Sequence, residues 1–149
     1  MSEQIPNTPY QLYSTEANDF EVVNEALYTY NLGCVPPTQS PELIKKYYII
    51  KENDKVIAGI YAVVYTWKIL FVDRLYVDDA YRGKDLGSLL LNKVEADAKA
   101  VGAKLAHLDT FDFQAKGFYE KQGYQVFGVL DDCPEGHKRY YLKKVLPNP

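Results

Sequence analysis

Leu75-Tyr76-Val77, the turn Tyr81-Arg82-Gly83-Lys84-Asp85-Leu86-Gly87-Ser88 and the run from Leu89 to Val101 together decide the fold. Leu70 to Val77 is rich in β-branched and aromatic residues and reads as a strand. From Gly87 the period changes: Leu90, Val94, Ala98 and Val101 recur at helical spacing, and Gly102 stops the helix. Lys104 to Thr110 is a further strand. A strand-helix-strand unit of this kind closes right-handed with its strands parallel.

The flanks supply antiparallel strands. Tyr47 to Lys51 and Lys55 to Trp67 form a hairpin around Glu52-Asn53-Asp54, with Gly59 the expected bulge in the second arm. Earlier, Tyr10 to Tyr13 is a short strand. Ser14 or Thr15 then caps a helix that carries Phe20, Val23, Leu27 and Tyr30 on one face and runs to Asn31 or Gly33. Pro36, Pro37 and Pro41 break the periodicity and make a lid-like loop, and Pro41-Glu42-Leu43-Ile44 reads as the start of a second short helix. Downstream, Ala115 to Gln122 is a helix ended by Gly123. Tyr124 to Leu130 and Lys138 to Val145 form a strand pair joined by Asp131 to His137. The fold class is α/β: a mixed, mostly antiparallel sheet with a central parallel strand pair and helices on both faces.

With 149 residues, 47% of them hydrophobic, the chain suits a single domain over 1–149. Its 17 basic and 20 acidic residues are mixed along the chain to a net charge of −3, which gives no footprint for nucleic acid or an anionic membrane. A small cationic substrate fits better. Cys34 and Cys133 are far apart and share no ligand spacing, so no disulfide and no metal site is expected. Met1 to Tyr10 lacks the basic and apolar regions of a secretion signal, and the longest apolar run, Val56 to Val64, is too short to span a bilayer. The expectation is a cytoplasmic protein.

The strand-to-helix turn is where the chemistry begins. Its bare backbone can aim several N–H groups at one point, and the helix N-terminus adds roughly half a positive charge, which suits a pyrophosphate. It lacks the Gly-Lys-Ser/Thr end of a Walker loop and the spacing of a GxGxxG dinucleotide turn. Arg82-Gly83-Lys84-Asp85-Leu86-Gly87 instead resembles the Arg/Gln-x-x-Gly-x-Gly/Ala turn of the GNAT superfamily of N-acetyltransferases. Leu75-Tyr76-Val77 resembles that family's splayed central strand, and Phe118-Tyr119-Glu120-Lys121-Gln122-Gly123-Tyr124 its downstream Phe-Tyr-x-x-x-Gly-Phe/Tyr element. The likeness covers about Ala58 to Leu142.

The resemblance implies transfer of an acetyl group from acetyl-CoA, as co-substrate, to a primary amine of a small molecule or a protein, by direct attack in a ternary complex. It implies that Arg82, Gly83, Lys84, Asp85, Leu86, Gly87 and Ser88 cradle the pyrophosphate. Backbone at Leu75, Tyr76 and Val77 would pair with pantetheine and polarise the thioester carbonyl, with Asp112 and Phe118 also at the cofactor. Tyr119 occupies the position whose phenol protonates the departing CoA sulfur. For the amine proton the first candidate is Asp73, two residues before Leu75 and so expected on the same strand face, directly or through water; Asp109 is the second. Relatives often form dimers, so a homodimer is open.

Two positions depart from the family pattern. Asp85 stands where a glycine is usual and puts negative charge near the pyrophosphate. Asp112 stands where an asparagine is more common and can accept but not donate. Asp85 leaves room for an alternative, an acyl-CoA-binding module without turnover; another is an acyltransferase using a longer acyl-CoA.

Overall fold

The computed structural model describes residues 1–147, which fall into two units, Met1–Pro37 and the remainder from Thr38. The expected single domain runs to 149, whose last two positions lie outside the described residues. In the first unit β1 (Ser2–Gln4) pairs antiparallel with β2 (Gln11–Tyr13), and α1 (Glu21–Cys34) follows. The Ile5 N–H closes the hairpin on the Tyr10 carbonyl at 3.0 Å. Turn bonds from Asp19 and Phe20 to the Glu16 carbonyl delay α1 past the expected Ser14 or Thr15 cap. The expected apolar stripe is exposed: Val23, Leu27 and Tyr30 are 50%, 58% and 69% accessible. An amphipathic period tells which face needs cover, not what covers it.

The second unit comprises β3 (Leu43–Glu52), β4 (Lys55–Tyr65), β5 (Ile69–Val77), a 3-10 turn (Asp79–Tyr81), α2 (Leu86–Ala100), β6 (Leu105–Phe111), α3 (Lys116–Lys121), β7 (Gln125–Asp131) and β8 (Lys138–Val145). Its six strands form one sheet in the order β3-β4-β5-β6-β8-β7. Only β5 and β6 run parallel; every other neighbouring pair is antiparallel. The mixed sheet, the parallel pair and the flanking helices are as the sequence implies.

The helix expected from Pro41 is absent, because β3 begins at Leu43, opposite Tyr65. Gln39 explains the difference. Its amide donates to the carbonyls of Pro41 and Val64 at 3.1 and 2.9 Å and accepts from the Lys68 N–H at 2.9 Å. That side chain holds the segment extended against the β4–β5 turn, a non-local effect that overrides the proline helix-start signal. The bulge in β4 lies at Ile57 rather than Gly59, since Ile50 pairs with Ala58 and Lys51 with Val56. Gly59 keeps regular pairing and serves close approach: a Cβ there would lie 3.3 Å from both the Ile49 side chain and the Tyr48 carbonyl.

One face of the sheet carries the core. Ala62, Val64, Leu70, Ala106 and Leu142 are fully buried with Leu91, Val94 and Ala98 of α2, and Tyr119 of α3 joins the same cluster. Each large aliphatic side chain so buried contributes about 1.5–3 kcal/mol. A polar knot sits inside this layer. Glu95 of α2, 5% exposed, accepts from the Tyr124 hydroxyl at 2.9 Å and the Lys144 ammonium at 2.7 Å. Removing the carboxylate leaves both donors without their acceptor. Glu95→Ala is expected to lower the unfolding free energy by about 2–4 kcal/mol in urea melts, and Glu95→Gln by clearly less.

Candidate active site

β5 and β6 pair at three positions only, Ile69↔Leu105, Leu70↔Ala106 and Phe71↔His107. Beyond that point β5 continues to Val77 and β6 to Phe111 with no ladder between them. A bulge marks the separation: Tyr61 pairs with Arg74 and Ala62 with Val72, so Asp73 is the extra residue in β5. An extra residue bends its strand and increases the local twist. The expected shared face of Asp73 and Leu75 is therefore not kept, because the two-residue alternation is interrupted at Asp73. Leu75, opposite Ile60, keeps to the core face, while Arg74 and Tyr76, opposite Tyr61 and Gly59, lie on the other.

The chain then enters the 3-10 turn and reaches α2. Gly83 has φ +76° and a Cβ there would meet nothing within 4 Å, so its backbone is open to a ligand. Asp85 has φ 62° and ψ 18°, the left-handed region. Glycine is the usual solution there and aspartate one of the few tolerated replacements, which accounts for Asp85 at a glycine position. Its carboxylate is exposed and makes no capping bond. The N–H groups of Leu86, Gly87 and Ser88 open α2 and, by helix geometry, have no intrahelical acceptor. Arg82 is anchored beside them, donating from Nε to the Val77 carbonyl at 3.0 Å and pairing with Asp79 at 2.5 Å.

Gly87 does different work from Gly83. A Cβ on it would lie 3.2 Å from the Phe118 ring and 3.8 Å from Val77, so the bare backbone lets α3 and the end of β5 close on the start of α2. Gln122, which follows α3 directly, reinforces the contact by donating to the Ser88 hydroxyl at 2.8 Å. Phe118 meets Tyr119 edge to face, and Tyr119 meets Tyr124 in the same way, at centroid distances of 5.2 and 5.8 Å. Tyr119 is 6% exposed. Burial pushes its phenol up to about 12, and the charge of Asp109 adds to the shift. The group is thus held protonated throughout the neutral range.

Gly87 thus joins the turn to the end of β5 at Val77 and to Phe118, which in turn abuts Tyr119. A matching family model spans residues 10–124 and is that of the acetyltransferase (GNAT) family. The chain belongs to this family. Blasticidin-S acetyltransferase of Streptomyces morookaense is 37% identical over 100 residues, 66% of this chain and 73% of that protein. The crystal structure of an acetyltransferase from Bacillus cereus ATCC 14579 superposes with a TM-score of 0.84 at 30% identity, covering 91% of this chain and 96% of that one. An aminoglycoside 6'-N-acetyltransferase solved with coenzyme A shares the fold, with a TM-score of 0.62 at 18% identity over 91% of this chain and 98% of that one. GNAT acetyltransferases use acetyl-CoA, and the open N–H groups and uncrowded Gly83 fit an anionic pyrophosphate.

Other candidates are placed differently. Both oxygens of Asp112 are engaged, one by His137 Nδ1 at 2.9 Å and one by the Lys138 N–H at 2.8 Å, so this carboxylate braces the start of β8. The Lys138 N–H, with help from His137, holds its pKa below the usual carboxylate range. Asp73 is exposed and lies 3.3 Å from Arg74. Asp109 is tied to Arg139. Sequence reading missed Arg139, Gln122 and Glu95, whose partners lie about 30 residues away or more and leave no local pattern. No group of side chains among the described residues has the make-up of a metal site, and no described helix is long and apolar enough to cross a membrane.

The raised phenol also affects stability. Tyr119 contributes fully below the unfolded tyrosine value of about 10, and the contribution is lost as pH rises through about 12. Tyr124, raised by burial and by Glu95, acts in the same direction. Urea unfolding between pH 9 and 12 is expected to show a steep alkaline loss, of which Tyr119→Phe removes about 2–3 kcal/mol.

Proposed function

We propose that this GNAT acetyltransferase uses acetyl-CoA as donor and a primary amine as acceptor, by direct transfer in a ternary complex. The single observation carrying the reading is Tyr119, a buried phenol kept protonated by burial and by the charge of Asp109, two residues past the last β5–β6 pair. The open turn from Arg82 to Ser88 receives the pyrophosphate, and the unladdered edge of β5 at Leu75, Tyr76 and Val77 receives the pantetheine arm as an added strand would be received. The family match runs across both units, which supports one functional domain over the whole chain.

The acceptor nitrogen attacks the thioester carbonyl, the carbon–sulfur bond breaks, and Tyr119 gives its proton to the departing thiolate. Backbone N–H groups at Leu75 to Val77 stabilise the oxygen as charge builds. The proton shed by the amine goes to Asp73, directly or through water. Asp73 takes this place ahead of Asp109 because its partner Arg74 is 82% exposed, and a pair so open to water holds its members weakly. Asp85, the one feature that favoured binding without turnover, is explained by backbone conformation and turned to solvent.

Release of free CoA thiol over an amine panel tests this reading. The panel includes blasticidin S, since a relative 37% identical is named for it. Saturable acetyl-CoA binding with no thiol release for any amine would contradict it. Tyr119→Phe is expected to lower kcat by roughly 10²-fold or more while calorimetry shows unchanged acetyl-CoA affinity. Unchanged kcat would remove the acid role.

A further inference from the structure

The two arms of the splay each carry a carboxylate at the same height. Phe71↔His107 is the last ladder pair, and Asp73 and Asp109 each lie two residues beyond it on their own strands. Their surroundings differ. Arg139 of β8 donates from Nε at 3.0 Å and from Nη2 at 2.6 Å, and both bonds end on the same oxygen, Asp109 Oδ1. Asp109 Oδ2 accepts from no donor among the described residues.

The guanidinium is itself fixed, lying over the rings of Phe111 and Tyr141 at 5.3 and 5.6 Å. Such contacts suit arginine, whose flat group stacks while its edge donates. The side chains of Asp109 and Arg139 are 24% and 33% exposed, so the pair is held in place yet reachable. His107, on the same face of β6, meets the Tyr65 hydroxyl at 2.8 Å, and burial keeps its imidazole below its usual pKa and so neutral. Arg139 therefore fixes one oxygen of Asp109, two residues past the last ladder pair, and leaves the other as a lone carboxylate oxygen suited to an N–H donor.

We propose that Asp109 Oδ2 binds the ammonium group of the acceptor, with Arg139 as the residue that positions it, so that the enzyme selects alkylamines carried as cations. This rests on the amine-transfer reading above. It assigns Asp109 to acceptor binding and leaves the proton to Asp73 or water. Arg139 touches no substrate and acts through Asp109 alone.

Thiol release with spermidine and tyramine as alkylammonium probes, and aniline as a neutral amine, tests the assignment. The wild type is expected to prefer the two ammonium probes. Asp109→Asn is expected to raise KM for both by about 10- to 100-fold, the range for losing a hydrogen bond to a charged group, with aniline little changed. Arg139→Gln raises the same KM values by about 5- to 10-fold, Arg139→Lys recovers part of the loss, and the double variant is no worse than Asp109→Asn, as coupled residues require. Calorimetric acetyl-CoA affinity should stay unchanged in every variant, which shows that each is folded. Unchanged ammonium KM values, an equal loss for aniline, additive effects in the double variant or weakened acetyl-CoA binding would each overturn the proposal. A wild type that releases thiol with no amine would instead overturn the amine-transfer reading, and this one with it.

Discussion

Everything in the catalytic half of the molecule depends on where one ladder stops. Parallel pairing of β5 with β6 ends at Phe71↔His107, and the extra residue Asp73 bends β5 away. Had the ladder continued to Val77, the backbone groups of Leu75 to Val77 would be bonded to β6, and no added strand would find a donor or acceptor there. A sheet that opens in its middle must be closed elsewhere. Here α2 and α3 do so, through the Gly87–Phe118 contact, the Gln122–Ser88 bond and the Glu95 knot to Tyr124 and Lys144.

The same contacts set the chemistry. Gly87 brings the Phe118 ring against α2, and Phe118 abuts Tyr119, so the position of the phenol follows from a missing methyl group. Burial then keeps that phenol protonated. Tyr119 lies in the core cluster, where water is scarce and a phenol is easily held neutral. The carboxylates Asp73 and Asp109 lie just past the parting of the strands, still accessible to water. In the proposed reaction this difference in burial separates the acid from the carboxylates assigned to the amine.

The helical period from Leu90 to Val101, the glycines that stop helices and the alternation of the hairpin strands were legible because they are local consequences of side-chain spacing. The turn and the Phe118–Tyr124 element were legible as family resemblance. What escaped was set at long range. The Gln39 amide turns a proline-initiated segment into β3, and the bulges fall at Ile57 and Asp73 because of strand pairing that no single strand encodes. The bonds of Asp112 to His137 and Lys138 span 25 and 26 residues and leave no local pattern. Asp85, which looked like a defect in the turn, is accounted for by one backbone angle.

The most direct test of this account is hydrogen exchange on the intact chain with and without CoA. Added protection on CoA addition within Leu75 to Val77 and from Gly83 to Ser88 is the predicted result, since β4 bonds only alternate residues of the first stretch and the second opens α2. Protection confined to other segments, or none at saturating CoA, would contradict it.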